Sequence, residues 1–367
     1  MYTLNVRNVH EALPKAIKLL REIGERQESR NGPVLVAPLP VATLYRQPCE
    51  RVLFWGQRDS NPYFHFFESL WMLAGRNDVE FPAAFAKQLG AYSDDGKTIP
   101  GAYGYRWRHY FDHDQLEWVI ARFMKDRNDR RVVLTMWDGY DDPYKADAGS
   151  ADVPCNTQAY FRILDNPILG YPELCMQVNC RSNDIFWGAY GANAVHFSFL
   201  QEYLASMLRI GVGWYIQNSF NWHGYLDFIG KMERRPAENN TDDLFAAAGG
   251  GNIMNPYEAP SKQWPHVVAH SLVEQPTNFD NDLRDFLAFP ASEVGWSNRF
   301  FQFTAQPLWN SHVAYKKGNF DDAEHFAGEC ASVDWRVACL DWLERRREAS
   351  ARKASAAVQA DTSSAAG

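Results

Sequence analysis

The chain has 367 residues, 46% hydrophobic, 22% charged and 14% aromatic, a composition that fits a globular protein and excludes a disordered or fibrous one. Its 13 Trp, 17 Tyr and 23 Phe supply a core without metal or disulfide staples. Lys plus Arg number 37 against 45 Asp plus Glu, a formal charge of −8, which excludes a general basic face for duplex nucleic acid or anionic membrane; an anionic substrate would need a local arginine cluster.

The first segment sets Val9, Leu13, Ile17, Leu20 and Ile23 at helical spacing and predicts an amphipathic helix ending near Gly24 or Arg30. Arg7, Glu11 and Lys15 interrupt any apolar leader there, and nowhere does a run of about 18 apolar residues predict a membrane span. A second helix, Pro62 to Gly75, is unusually apolar. Strand patterns cover Arg131–Trp137, Gln158–Leu164 and Met176–Arg181, the last two joined through Asp165, Asn166, Pro167 and Gly170 as a hairpin. A long buried helix is predicted over Asn193–Ile210, followed by a strand over Val212–Phe220. Beyond 235 the signals weaken into long loops before a helix around Asp334–Arg347, and the Ala/Ser-rich residues 349–367 are expected to be a disordered tail. This alternation predicts an α/β or α+β fold, read as one domain over 1–348 with a divergent part at 232–348.

The six cysteines, Cys49, Cys155, Cys175, Cys180, Cys330 and Cys339, form no C-x-x-C pair, so a reduced, cytoplasmic protein is expected. Cysteine is among the most buried residue types, which makes a core role the default for each. His109 and His113 stand four apart beside acidic residues, a spacing that could bind metal on a helix, but their loop-like aromatic surroundings argue against it. Glu68 falls four residues after Phe64 and three before Trp71, which puts a carboxylate on the apolar face of its helix, where it is costly unless hydrogen-bonded or functional.

Four segments in order carry the chemistry: Arg130-Arg131 through Trp137; Val153-Pro154-Cys155-Asn156; Cys180-Arg181-Ser182-Asn183-Asp184 with Phe186-Trp187-Gly188 and Asn193; and Asn221-Trp222-His223-Gly224-Tyr225. Upstream stand Ser29-Arg30-Asn31-Gly32, Phe67-Glu68-Ser69-Leu70-Trp71 and Tyr103-Gly104-Tyr105-Arg106-Trp107-Arg108. Each motif alone is weak. Their ordered conjunction, from Arg30 to Tyr225, resembles the thymidylate synthase superfamily, which includes phage pyrimidine-nucleotide hydroxymethylases.

The resemblance implies a three-layer sandwich with a mixed sheet at a two-fold dimer interface, a pyrimidine nucleoside monophosphate as substrate and 5,10-methylenetetrahydrofolate as co-substrate, with no metal. The residue types suit that chemistry. A pyrimidine C5 is a poor nucleophile until something adds to C6, and a thiolate does so; Cys155 behind Pro154 is the candidate, with Arg181 as the cation that lowers its pKa. Glu68 would be the acid/base that works through water at O4, and Tyr103 and Asn156 complete the catalytic set. Arg30, Arg181 and Ser182 would hold the phosphate, together with Arg130 and Arg131 reaching from the partner subunit. His223 and Tyr225 would bind the sugar hydroxyl, while Asp184 and Trp71 would face the folate.

The sequence departs from the family in three ways. Asn156 follows the nucleophile where thymidylate synthases usually carry His. The amide that selects uracil is matched in type by Asn193, one residue beyond the strict count, which falls on Ala192; a carboxylate there goes with cytosine. Past Trp342 the chain continues into charged residues and an Ala/Ser tail instead of a short apolar seal, so water should reach an exocyclic methylene more easily than in a sealed site. These readings predict C5 hydroxymethylation of dUMP, with dCMP next. A divergent thymidylate synthase is the runner-up, and a catalytically silent nucleotide-binding homologue is the rival of another class.

Overall fold

The computed structural model describes residues 1–234, 243–251, 253–260, 265–290 and 295–364, with side chains to residue 356. The strands are β1 (Tyr2–Val6), β2 (Glu25–Ser29), β3 (Gly32–Val36), β4 (Val41–Tyr45), β5 (Val133–Thr135), β6 (Asn156–Asp165), β7 (Pro172–Asp184) and β8 (Gly211–Tyr225). The helices are α1 (Val9–Ile23), α2 (Pro62–Leu73), α3 (Glu80–Ala83), α4 (Tyr103–Arg108), α5 (Gln115–Lys125), α6 (Asp141–Asp147), α7 (Asn193–Met207), α8 (Leu226–Glu233), α9 (Leu244–Ala248), α10 (Pro276–Ala288), α11 (Gln306–Lys316), α12 (Phe320–Gly328) and α13 (Val333–Ser364). Together they make a mixed α/β fold.

The sheet runs β1-β4-β8-β7-β6-β5, and β3 pairs with the far end of β8 and with β2. The pairs β1–β4 and β7–β8 are parallel, and β6–β7 is the expected antiparallel hairpin, with Gly170 at φ 71° in its turn. The 15-residue β8 lies between β4 on one flank and β7 on the other, and it carries its own C-terminal half on to Tyr225, past the predicted end at Phe220. That extension delivers Asn221, His223 and Tyr225 to one end of the sheet.

One face of the sheet is buried under α7, whose residues from Asn193 to Ala205 are all buried, and α7 in turn packs on α2. A helix covered on every side must be apolar all round, which accounts for the Pro62–Leu73 composition. Asn61 starts that helix by accepting from the Phe64 N–H at 3.2 Å, and Pro62 takes its first turn. In α1, Pro14 lacks the N–H that would reach the His10 carbonyl; the Trp55 indole donates to that oxygen instead at 2.8 Å. On the other face of the sheet Trp214, Ile216, Asn218 and Phe220 alternate with buried Tyr215, Gln217 and Ser219, and Phe220 is 73% exposed.

Several elements differ from the sequence reading. The Arg131–Trp137 strand is reduced to Val133–Thr135, and α7 stops at Met207. Loops were predicted after 235, yet α9, α10, α11 and α12 lie there, while 235–242 falls outside the described residues. The terminal helix continues to Ser364 through residues read as a disordered tail, because alanine is the best helix former even where no apolar face exists; 365–367 lie outside the described residues. Among the described residues no helix is long and apolar enough to cross a membrane.

Candidate active site

A cavity of about 1520 Å³ opens at the C-terminal ends of β7 and β8, and its lining gathers Arg30, Glu68, Tyr103, Cys155, Arg181, Ser182, Asp184, Asn193, His223 and Tyr225 from seven elements and loops. The nucleophile candidate leads into β6, where a bulge between Asn156 and Gln158 breaks the register with β7. The Tyr103 hydroxyl accepts from the backbone N–H groups of Cys155 and Asn156, each at 3.2 Å, and fixes this strand entry. Gly104 makes that approach feasible, since a Cβ there would stand 2.0 Å from the Met72 carbonyl oxygen of α2.

Arg181 wraps the same loop. Its Nε donates to the Pro154 carbonyl and its Nη2 to the Val153 carbonyl, both at 2.9 Å, and its backbone N–H donates to the Cys155 carbonyl at 2.8 Å. The electrostatic outcome differs from the sequence reading. Burial pushes the Cys155 thiol up and Asp152 adds to that, while Arg181 and Arg30 pull it down without reversing the direction. Asp152, which lines the cavity and accepts from the Gly101 N–H at 3.0 Å, is a residue the sequence reading missed.

A chain of amides runs along the cavity floor. Asn156 Nδ2 donates to Asn193 Oδ1 at 3.0 Å, Asn193 Nδ2 to Asn183 Oδ1 at 3.1 Å, and Asn183 Nδ2 to Ser219 Oγ at 2.9 Å. Asn156 therefore does not line the cavity but orients Asn193, which does. Ile185–Ala192 is a π-type turn, and the Asn193 N–H bonds the Gly188 carbonyl five residues back, so the segment carries one residue more than an α-turn would.

Asp184 caps that turn, its Oδ1 accepting from the Phe186 and Trp187 N–H groups at 2.9 and 2.7 Å, while Oδ2 is buried with no hydrogen-bond partner among the described residues. Burial raises the Asp184 carboxyl above the usual carboxylate value, against the Trp187 N–H and His223. On the paired strand His223 Nδ1 is 2.9 Å from Asn221 Oδ1, and its ring meets Tyr225 edge-on at 5.5 Å. Asn31, in the turn after Arg30, donates to the Tyr225 hydroxyl at 3.5 Å.

Three predicted residues lie elsewhere. Trp71 is buried in the core about one turn beyond Glu68 along α2, off the lining, with its indole donating to Asp78 at 3.1 Å; the tryptophans at the cavity are Trp137, Trp342 and the half-exposed Trp187, with the Arg58 guanidinium 4.5 Å from the Trp187 ring centre. Arg130 and Arg131 are exposed and off the lining, and Arg131 pairs with Asp129 at 2.9 Å. The part past 232, for which the sequence offered no role, contributes Trp342 and Arg346 to the lining. Among the described residues no three His, Cys, Asp or Glu side chains are placed to hold a metal.

The thymidylate synthase family model matches residues 56–243, more than half of the chain. The chain belongs to the thymidylate synthase family. Across its length it is 44% identical over 364 residues, 97% of this chain and 98% of the other, to a protein of Pseudomonas phage M6 named deoxyuridylate hydroxymethyltransferase. A protein of Bacillus phage SP01 with the same name is 35% identical over 201 residues, 52% of this chain and 50% of that one. The crystal structure of thymidylate synthase from T4 phage matches at 22% identity and a TM-score of 0.47, over 60% of this chain and 80% of that one. Family enzymes are one-carbon transferases, and in this member Cys155, Glu68, Tyr103 and Arg181 line one cavity.

Proposed function

We propose that this thymidylate synthase family member is a folate-dependent hydroxymethylase acting at C5 of dUMP. The observation that carries the reading is the end-to-end 44% identity with a protein named deoxyuridylate hydroxymethyltransferase, over 97% of the chain. The cavity supports it. At about 1520 Å³ it exceeds the roughly 300–1,000 Å³ of a single-ligand pocket and has room for a nucleotide beside a folate.

Cys155 adds to C6 of the pyrimidine, and the electrons move into C5 and O4. Arg181 and Arg30, both close enough to draw the thiol down, favour the thiolate and bind the phosphate with Ser182. Asn193, held by Asn156 and Asn183, reads the O4 and N3 edge of uracil. His223 and Tyr225 bind the sugar. The buried Asp184 Oδ2, unpartnered among the described residues, and the half-exposed Trp187 fit a folate, whose pterin has N–H groups for the first and a ring face for the second. When bound, methylenetetrahydrofolate supplies the one-carbon unit to C5. Water then completes the hydroxymethyl group; α13 contributes only Trp342 and the charged Arg346 to the lining among the described residues.

The functional protein is a homodimer joined through the open sheet face that carries Trp214, Ile216 and Phe220, with Arg130 and Arg131 reaching the partner's phosphate. Their exposure and distance from their own cavity support this reading. A monomer by light scattering would contradict it. The activity is tested by incubation with dUMP or dCMP and methylenetetrahydrofolate, with products identified by mass spectrometry: 5-hydroxymethyl-dUMP is expected, and thymidylate with dihydrofolate overturns the reading.

A further inference from the structure

Glu68 does not stand alone on the cavity wall. Its Oε2 lies 2.9 Å from Nε2 of His196, a ring only 4% exposed, a close contact outside hydrogen-bond geometry, and neither atom has a hydrogen-bond partner among the described residues. Oε2 is thus turned inward on an imidazole, which leaves Oε1 as the carboxylate oxygen that meets the cavity. His196 is three residues after Asn193 on α7, so one helix face presents both the amide of the proposed base-reading chain and the ring behind the carboxylate. His65, one turn before Glu68 on α2, meets the His196 ring edge-on at 6.5 Å, and burial keeps it neutral.

Asp184, Tyr103 and His223, also on the cavity, are committed differently. Asp184 spends Oδ1 on two backbone N–H groups, the Tyr103 hydroxyl accepts from Cys155 and Asn156, and His223 faces Asn221 at the sugar end. Glu68 combines a cavity-facing oxygen with a buried imidazole directly behind it, the arrangement by which a proton taken at one carboxylate oxygen is stabilised through the other.

We infer that His196 is a positioning residue for the hydration half-reaction, acting through Glu68 as the base that deprotonates the attacking water. This rests on the hydroxymethylase reading above. The water oxygen forms a bond to the exocyclic methylene carbon of the nucleotide while its proton passes to Glu68. The methylene π electrons move through C5 to O4; as the C4 carbonyl re-forms, C5=C6 closes and the C6–S bond to Cys155 breaks, with the electron pair leaving on sulfur. The sum is intermediate plus water giving the hydroxymethyl nucleotide, the Cys155 thiolate and a proton shared by Glu68 and His196, with no oxidant or reductant required.

The test separates the two halves of the reaction in the full-length protein. Tritium release from C5-labelled dUMP reports all steps up to loss of the C5 proton, and 5-hydroxymethyl-dUMP reports hydration. The wild type is expected to give one product per tritium released. His196→Ala should keep tritium release within about threefold while hydroxymethyl product falls at least tenfold below it. Added 2-mercaptoethanol, whose thiolate needs no base in the site, should then appear as a thioether on the nucleotide. His196→Gln, whose amide N–H reaches Oε2 in place of Nε2, should recover part of the coupling between the two signals. Tritium release and product falling together in His196→Ala, or staying at wild-type ratio, overturns the inference. If His196→Ala fails to fold, the coupling ratio of His196→Gln decides alone: below the wild-type ratio it supports the inference, and unchanged it overturns it. A wild type that yields thymidylate, or releases no tritium, overturns the hydroxymethylase reading itself.

Discussion

The hydroxyl of Tyr103 accepts hydrogen bonds from two consecutive backbone nitrogens, those of Cys155 and Asn156, each at 3.2 Å. One oxygen on α4 therefore sets where the proposed nucleophile enters β6. Replacing it leaves two part-buried donors unpaired, at about 1–3 kcal/mol for a group whose partner is removed. Tyr103→Phe should lower stability by that amount in urea denaturation and reduce kcat at least tenfold, with a much smaller change in nucleotide Kd. A kcat within twofold of wild type would show that the loop keeps its place without this oxygen.

The thiol of Cys155 should be slow to ionise in the free protein. Burial disfavours the thiolate and raises the pKa; Arg181 favours the thiolate and lowers it, so removing the guanidinium moves the titration further up. Alkylation by iodoacetamide, followed at the Cys155 peptide by mass spectrometry across pH, should show a midpoint above that of an unperturbed cysteine. Arg181→Gln should shift it higher still, and a shift to lower pH contradicts this electrostatic account.

Base selection should follow Asn193. Asn193→Asp replaces the amide that donates to Asn183 with a carboxylate, which can accept from the exocyclic amine of cytosine but not donate to O4 of uracil. On dUMP, kcat/KM should fall about 100-fold, in line with losing a specific polar match of roughly 3 kcal/mol, and the ratio of dCMP to dUMP turnover should rise. Steady-state kinetics with both nucleotides measures this. Unchanged preference would move the determinant elsewhere in the cavity.

Stability depends on a pair that touches no ligand. Arg106 and Asp142 are both fully buried and joined by two 2.7 Å bonds, and Arg106 also donates to the Met136 carbonyl at 2.7 Å, which ties α4 to the end of β5. Asp142→Ala leaves a guanidinium buried without its counter-ion and should cost about 3–5 kcal/mol in chemical denaturation. The double variant Arg106→Met with Asp142→Ala should be more stable than Asp142→Ala alone, because no unpaired charge is then buried.

The sequence alone carried the hairpin of β6 and β7, the two buried helices α2 and α7, and the set of motif residues, since periodicity and residue type are local properties of the chain. It also named Cys155, Glu68, Tyr103, Arg181 and Asn193, all of which the fold brings to one cavity. Distance in space was not legible. Trp71 was assigned to folate by its place in a motif, but it lies a turn beyond Glu68 along α2, where packing buries it against Asp78 and away from the cavity. The net direction of the Cys155 shift turned on desolvation, which exists only once the loop is folded under its neighbours. The π-type turn that ends at Asn193 was not legible in the local pattern, and nothing there tied His196 to a carboxylate on another helix. Residue types fixed which chemistry was available; the tertiary structure decided which groups meet, because burial and hydrogen bonding between distant segments arise only from packing.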